Sequence, residues 1–441
     1  MIKYYRALTV FLLSVAVTTA MAQSTATTSS PYSRYGLGTI DPILLPQNVA
    51  MGGIGVATNQ INGYNNVNPL NPASYSSMRL TVLDIGMYGN FSSFSKTGQA
   101  NQTNSNFRLS HIAVGVPVSQ HSALSFGLLP YSEVGYKYTQ TLSRGYGTGS
   151  PTDTNVVNNV YSGEGGLSKA YLGYGFDIGR HLAVGANVSY IFGNLKQFSS
   201  TEFPNLYGAF NSRQETNNAI GGLNYDFGAQ YTIDFTTERR LTLGYSGSAG
   251  TKLNSQSSFI VSQYQVDFTN DNEAVAADTI VNKQNPYTKI QLPLINRFGL
   301  AYQYDRHFLI GADYSMGNWS KLTIGGANQG LQNTQSVNIG GQITPNANSL
   351  HSYWAVMDYR LGVHFDKTYV AINNQDIKQE GLTFGLGLPL KASGTSFYKI
   401  NIAGEFGQRG TLSNSLVKEK YFNVHLSFTL NDKWFQKYKF D

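Results

Sequence analysis

The segment LNYDFGAQYTI, residues 223–233, alternates without a break. Leu223, Tyr225, Phe227, Ala229, Tyr231 and Ile233 fall on one face, and Asn224, Asp226, Gly228, Gln230 and Thr232 on the other. A period of two is the side-chain period of a β-strand, so this stretch reads as a strand with one apolar face. The pattern recurs. Leu182, Val184, Ala186, Val188, Tyr190 and Phe192 share a face, and Ala170, Leu172, Tyr174, Phe176 and Ile178 oppose Gly173, Gly175 and Asp177. Near the C-terminus Phe422, Val424, Leu426, Phe428 and Leu430 oppose Asn423, His425, Ser427 and Thr429. Repeated segments of about ten residues, apolar on one face and small or polar on the other, are the signature of transmembrane β-strands.

Composition narrows the choice. Charged residues make up 13% of the chain, against about 25% in a typical soluble protein. There are 46 Gly, 30 Tyr and 24 Phe. Past the N-terminal segment no run of roughly 18 apolar residues is present, so spanning helices are excluded. Two architectures remain, a large secreted β protein and an outer-membrane barrel. The net charge of +6 is spread along the chain, with no basic run of the kind that binds nucleic acid. At the N-terminus, Lys3 and Arg6 precede an apolar stretch from Ala7 to Val17 and an A-x-A site at Ala20-Met21-Ala22. Residues 1–22 therefore read as a secretory signal peptide. The absence of Cys excludes a lipid anchor at the cleavage site, a disulfide framework and cysteine-based chemistry.

A soluble β-sandwich alternates too, so the connections decide. They read as tight turns (Ser119–His121, Gly179–His181, Thr236–Arg240, Tyr304–His307) alternating strictly with long loops near 95–105, 141–160, 200–214, 258–286 and 325–334. Short turns at one end and long loops at the other are how outer-membrane barrels are built. Strand starts fall near 79, 106, 121, 165, 181, 217, 241, 289, 307, 334, 353, 380, 397 and 420. The expected fold is all-β: an outer-membrane β-barrel of about 14 antiparallel strands over 79–431, with an N-terminal plug. Residues 23–78 are rich in Gly, Asn and Pro, lack spanning alternation, and are too apolar at Ile43, Leu44, Leu45, Met51, Ile54 and Val56 for a disordered tail. A barrel of this width leaves room for them in its lumen. Residues 432–441, NDKWFQKYKFD less its Asn, fit a periplasmic aromatic and basic tail.

One strand candidate carries an anomaly. SFGLLPYSEVGYKY, residues 125–138, has Pro130 at its centre. Proline cannot donate to a ladder and is confined to edges, strand starts and bulges.

A Gly-rich segment containing Met51, Gly52 and Gly53 and ending in Asn71, Pro72, Ala73 and Ser74 directly precedes the first strand. It resembles the hatch of the FadL-type family of outer-membrane transporters for long-chain fatty acids and other hydrophobic compounds. LPLINRFGLAYQYD (292–305) followed by HFLIGADYSMGNWSKL (307–322) is similar to that family's LP…G…AY strand and its Trp-Ser-ended successor. The resemblance implies a fourteen-stranded barrel with an N-terminal hatch, taking an apolar ligand from outside. It also implies an inward kink in the third strand that opens a lateral path to the bilayer. On that reading Leu128, Leu129, Pro130 and Tyr131 border the gap; an ordinary rim bulge at Pro130 is the alternative. The hatch sequence ATNQINGYNNVNPLNPAS is richer in Asn than the Ala-rich version in fatty-acid importers.

By parity Arg297, Asp313, Asp358, Arg360 and Glu405 face the lumen, with Lys169, Asp177, Asp226 and Asp305. They form either a polar track for a ligand or a network bracing wall against plug, and the second is the expectation. The seven His residues show no metal-ligand spacing. No G-x-S-x-G is present, His425 stands alone as a lumenal candidate, and MGGIGVA lacks the Lys-Ser/Thr ending of a phosphate loop. No enzyme activity, cofactor or metal is expected. The partners expected are the lipid bilayer, a hydrophobic small molecule and outer-membrane proteins. Function reads as a channel for hydrophobic small molecules or, alternatively, a non-transporting barrel subunit of a secretion or assembly complex.

Overall fold

The computed structural model describes residues 28–60, 65–142, 155–206, 208–267, 272–273, 277–391 and 396–434. The signal-peptide reading of residues 1–22 lies outside them, as does the tail beyond Trp434. Fourteen antiparallel strands form one closed ring. They are β1 Thr81–Ser95, β2 Gln102–Ser119, β3 Ser122–Leu142, β4 Val157–Ile178, β5 Leu182–Glu202, β6 Asn211–Asp234 and β7 Arg239–Ser248. The ring continues through β8 Ile295–Tyr304, β9 Phe308–Gly317, β10 Thr334–Ile343, β11 Asp358–Ile372, β12 Gln375–Pro389, β13 Phe397–Gly410 and β14 Lys418–Asp432. Pairing of β14 with β1, from Asp432–Thr81 to Lys418–Ser95, closes it. Closure leaves the ring without outer edges, which lets strands stand in a medium that cannot hydrogen-bond to them.

The alternation of the sequence becomes the two sides of this wall. Leu172, Tyr174, Phe176 and Ile178 on β4, and Val188, Tyr190 and Phe192 on β5, point outward and are exposed. Lys169 on β4 and Asn187 and Ser189 on β5 point inward and are buried. An apolar outer band around a polar inner face is stable only with lipid around it.

Strands β3 to β6 are 21, 22, 21 and 24 residues long. A strand needs only about 9–11 residues to cross a bilayer, so these rise well beyond it. Two further strands, Lys252–Tyr264 and Thr288–Gln291, continue β7 and β8 upward after breaks at 249–251 and 292–294. Lys252–Tyr264 also pairs with β6 and with Asp278–Gln284. Much of the expected loop at 258–286 is thus hairpin.

The strict sorting of connections does not hold. The link from β11 to β12 is two residues, Asn373 and Asn374, at the long-loop end, and the link from β10 to β11 occupies 344–357 at the tight-turn end. Asn373 and Asn374 take φ of 51° and 60°, the backbone of a tight hairpin turn that asparagine tolerates. Two strand starts move accordingly, from 353 to Asp358 and from 380 to Gln375.

Residues before β1 are bound to inner-face groups all round the ring. Ser33 Oγ donates to Gly135 O on β3 (3.0 Å), Asn338 Nδ2 on β10 donates to Gly52 O (2.5 Å), and Gly52 N donates to Thr383 Oγ1 on β12 (2.8 Å). Asn65 N donates to Asn431 Oδ1 on β14 (2.9 Å). Gly52 has φ 72°, and a Cβ there would sit 2.6 Å from Ile339 O. Glycine is needed for its backbone to lie against β10. Asn71 caps the short helix Pro72–Ser77, accepting from Ala73 N at 3.1 Å, with Pro72 in the first position.

Candidate functional site: the β2–β3 seam and the inner cavity

Between β2 and β3 the ladder runs from Ser119–Ser122 to Ile112–Leu128 and ends there. Both strands continue. β2 stays on β1 as far as Gln102–Phe94, and β3 stays on β4 as far as Leu142–Val157, with a register shift between Pro130 and Ser132. Side-chain exposure follows the same break. Leu124, Phe126 and Leu128 are outward and exposed, but Leu129, Tyr131, Ser132, Glu133, Val134 and Tyr136 are all buried. A wall strand keeps one exposed face; β3 loses its exposed face at Pro130 and turns inward.

The freed edge of β3 has a partner. Residues Thr39 and Ile40 pair antiparallel with Glu133 and Ser132, and Asp41 N donates to Tyr131 O at 3.0 Å. Arg108 of β2 spans the seam. Its Nε lies 2.6 Å from Glu133 Oε1 and its Nη2 2.9 Å from Asp41 Oδ1, and its guanidinium stacks 4.5 Å from the Tyr88 ring. Burial pushes the Asp41 carboxyl above its ordinary range, and the Arg108 guanidinium opposes that shift.

Behind the seam lies a cavity of about 390 Å³. Leu129, Pro130 and Tyr131 line one side, Leu292, Ile295 and Trp319 another. Above it an apolar cluster fills the inner face: Leu167, Ile191, Leu195, Ile220, Leu253 and Ile290 come from successive strands, with Trp319 stacked 4.9 Å from Tyr369. Tyr369 Oη also donates to Gly38 O. The lining also has a polar part, with His364, Asp366, Glu405, Arg409 and His425.

The inner-face charges separate into groups. Arg297, Asp313 and Glu405 line the cavity; Asp358 and Arg360 do not. Asp313 Oδ2 accepts from Gly55 N and Val56 N at 2.6 and 2.8 Å, so it holds the N-terminal segment to β9. Asp358 binds Arg360 at 3.0 Å and Lys399 at 2.7 Å. Glu405 meets His364 at 3.0 Å and Tyr421 at 2.8 Å, and Lys169 meets Asp226 at 2.6 Å. Asp177 and Asp305 sit at the turn end, near His121 (3.5 Å) and Arg240 (2.8 Å). Among the residues before β1, Met51, Asn71, Ala73 and Ser74 are fully or almost fully buried, and Asn71 Nδ2 reaches Val56 O (2.6 Å) and Tyr245 O on β7 (3.3 Å). Gly53 has φ 86° and follows Gly52 against β10.

Sequence reasoning missed Arg108, Asp41 and Glu133. Parity carries a signal for the first, since Arg108 shares a face with Asn106 and Ser110, which are buried.

A family model named BamG matches residues 1–441, the entire chain. The chain belongs to the BamG family. No curated protein matches it. Solved structures do. The Pseudomonas putida toluene transporter TodX matches with a TM-score of 0.57 at 13% identity, over 91% of this chain and 100% of that one. A Pseudomonas aeruginosa FadL homologue matches with 0.57 at 12%, over 90% and 100%. The CymD monoaromatic hydrocarbon channel matches with 0.52 at 14%, over 90% and 99%. At such identities the likeness is one of fold. This BamG-family chain is therefore a FadL-like barrel, and the resemblance read from its motifs holds at the level of architecture.

Proposed function

We propose that this BamG-family chain is a non-enzymatic outer-membrane channel for hydrophobic small molecules, fatty-acid-like or aromatic. Ligand enters the lumen past residues 23–78, which act as a plug, and leaves sideways into the bilayer where β2 and β3 part. The observation that carries the reading is the cavity behind Leu129, Pro130 and Tyr131, at the height where the β2–β3 ladder has ended. Two structural neighbours, a toluene transporter and a monoaromatic hydrocarbon channel, lend it support. Uptake of a fluorescent fatty acid and of an aromatic hydrocarbon in cells with and without the protein tests it. Faster accumulation of either is expected; equal accumulation of both overturns the reading. Deleting residues 23–78 should raise single-channel conductance in planar bilayers, and an unchanged conductance would put the plug role aside.

Membership of the BamG family, rather than of a transporter family, favours a second reading: a barrel subunit of an outer-membrane secretion or assembly complex. Strands β3 to β6 supply polar wall beyond the bilayer on which a partner can rest. A stable complex on gentle detergent extraction, together with absent uptake, would select it.

A further inference from the structure

The connection from β10 to β11 is long at the end of the barrel where turns are short, and its apolar side chains are outside. Leu350 is 94% exposed, Trp354 70% and Tyr353 49%. A soluble surface rarely gathers three such residues within five positions. Their placement is set by Tyr359. Asp358 and Arg360 of β11 face inward and are buried, so Tyr359 between them faces the outer side of the wall. Its Oη donates to Trp354 O at 3.0 Å. The helical turn Tyr353–Val356 is thereby tied to the outer surface of the barrel.

The link is two-sided. Asn346 N donates to Ala355 O at 2.8 Å, closing it on itself. Its polar members Asn346 and Asn348 line a cavity of about 320 Å³ with Glu238, Asp305, Arg306 and His307 of the neighbouring turns. Arg306 Nη1 donates to Asn348 Oδ1 at 3.3 Å. The apolar side chains continue the outer band of the two strands that the link joins, where Ile343 and Leu361 are exposed. That band is the lipid-facing surface, so the link prolongs an interface already present.

We propose that Leu350, Tyr353 and Trp354 form an interfacial anchor, lying in the headgroup region of the leaflet at the tight-turn end. Its partner is a lipid surface. Aromatic residues with one polar edge settle at that depth, and an amphipathic turn lies flat there. The anchor fixes the height of the barrel in the bilayer on the β10–β11 side, and it holds under either reading of function.

The chain has three Trp. Trp319 is 3% exposed, and Trp434→Phe removes the third. In phosphatidylcholine vesicles, emission of the Trp434→Phe protein is compared with that of Trp434→Phe/Trp354→Phe; the difference reports Trp354. Correct folding is checked by the shift in gel mobility on heating. Bromine placed near the headgroup end of the acyl chains should quench the Trp354 signal at least about twofold, and iodide in the buffer should quench it weakly. Strong iodide quenching without bromolipid quenching overturns the anchor. A photocrosslinker at Tyr353 in intact cells supplies an independent arm. Lipid adducts support the assignment, and a polypeptide adduct in place of lipid overturns it in favour of a protein partner.

Discussion

Two seams of this barrel begin alike and end differently. Between β4 and β5 the ladder runs without a shift from Ile178–Leu182 to Asn158–Glu202. Between β2 and β3 it starts equally close to a tight turn and stops at Ile112–Leu128. Above that level, β3 keeps β4 and leaves β2, and the chain's own Thr39–Ile40 takes its vacant edge. What crosses the second seam is Arg108, with Glu133 on one side and Asp41 on the other. The two closures differ in kind. A ladder is held by many backbone bonds, so loss of any one, as at a proline, leaves the rest. The clamp is held by one side chain.

That contrast makes Arg108 the most sensitive position. Arg108→Leu removes the cation that bridges Asp41 and Glu133 in a buried site. Breaking a buried ion pair from one side costs about 3–5 kcal/mol. The temperature at which the heat-modified gel band appears should fall sharply, and protease should gain access near Asp41. A variant as stable as the parent would show that Thr39–Ile40 is held by its backbone pairing alone, and the contrast between the seams would shrink.

The sealed seam has its own weak point at Gly165, which has φ 111° and where a Cβ would sit 2.2 Å from Asn194 O on β5. A non-glycine residue there is strained and pushes on backbone. Gly165→Ala should cost about 1–3 kcal/mol, read as a smaller fall in the same transition. No change in uptake should accompany it, because the proposed ligand path does not use this seam. A fall in uptake would mean the two seams do not differ in function.

How much of this was legible follows from what each feature depends on. The strands and their phases were readable because a period of two forces each side chain to one face, as with Leu223 to Ile233. The inward charges followed from the same rule. The β11–β12 turn was missed because two asparagines at positive φ leave no break in composition around Asn373 and Asn374. The β10–β11 link was missed because helical SYWAV reads equally as the start of a strand. The clamp was missed for a different reason: Asp41, Arg108 and Glu133 lie on three segments, and only the inward bend of β3 brings them together. The apolar cluster at Leu167, Ile191 and Ile220 stands where inner parity led one to expect polar residues. It exists because those side chains pack on one another and on Tyr32, Leu37 and Tyr131 rather than facing a polar lumen.

Pro130 tests the smallest and most local part of the contrast. It sits opposite Ser168 of β4, two residues after the last β2 partner, Leu128. Pro130→Ala adds an N–H and frees φ. A new bond to β2 would contribute about 0.5–1.5 kcal/mol. The greater freedom of the unfolded chain would take back about 0.4–1 kcal/mol. The net change in stability should therefore lie close to zero. The ladder cannot zip far in any case, since Tyr131 O already accepts from Asp41 N and Ser132 and Glu133 already face Ile40 and Thr39. Uptake of the apolar probe should nonetheless fall, because a single added rung narrows the seam where Leu129 and Tyr131 border the cavity. If uptake and stability both stay at parental values, the proline is a consequence of the bend rather than its cause. The difference between the two seams would then rest with the N-terminal segment, which occupies the edge of β3 through Thr39 and Ile40.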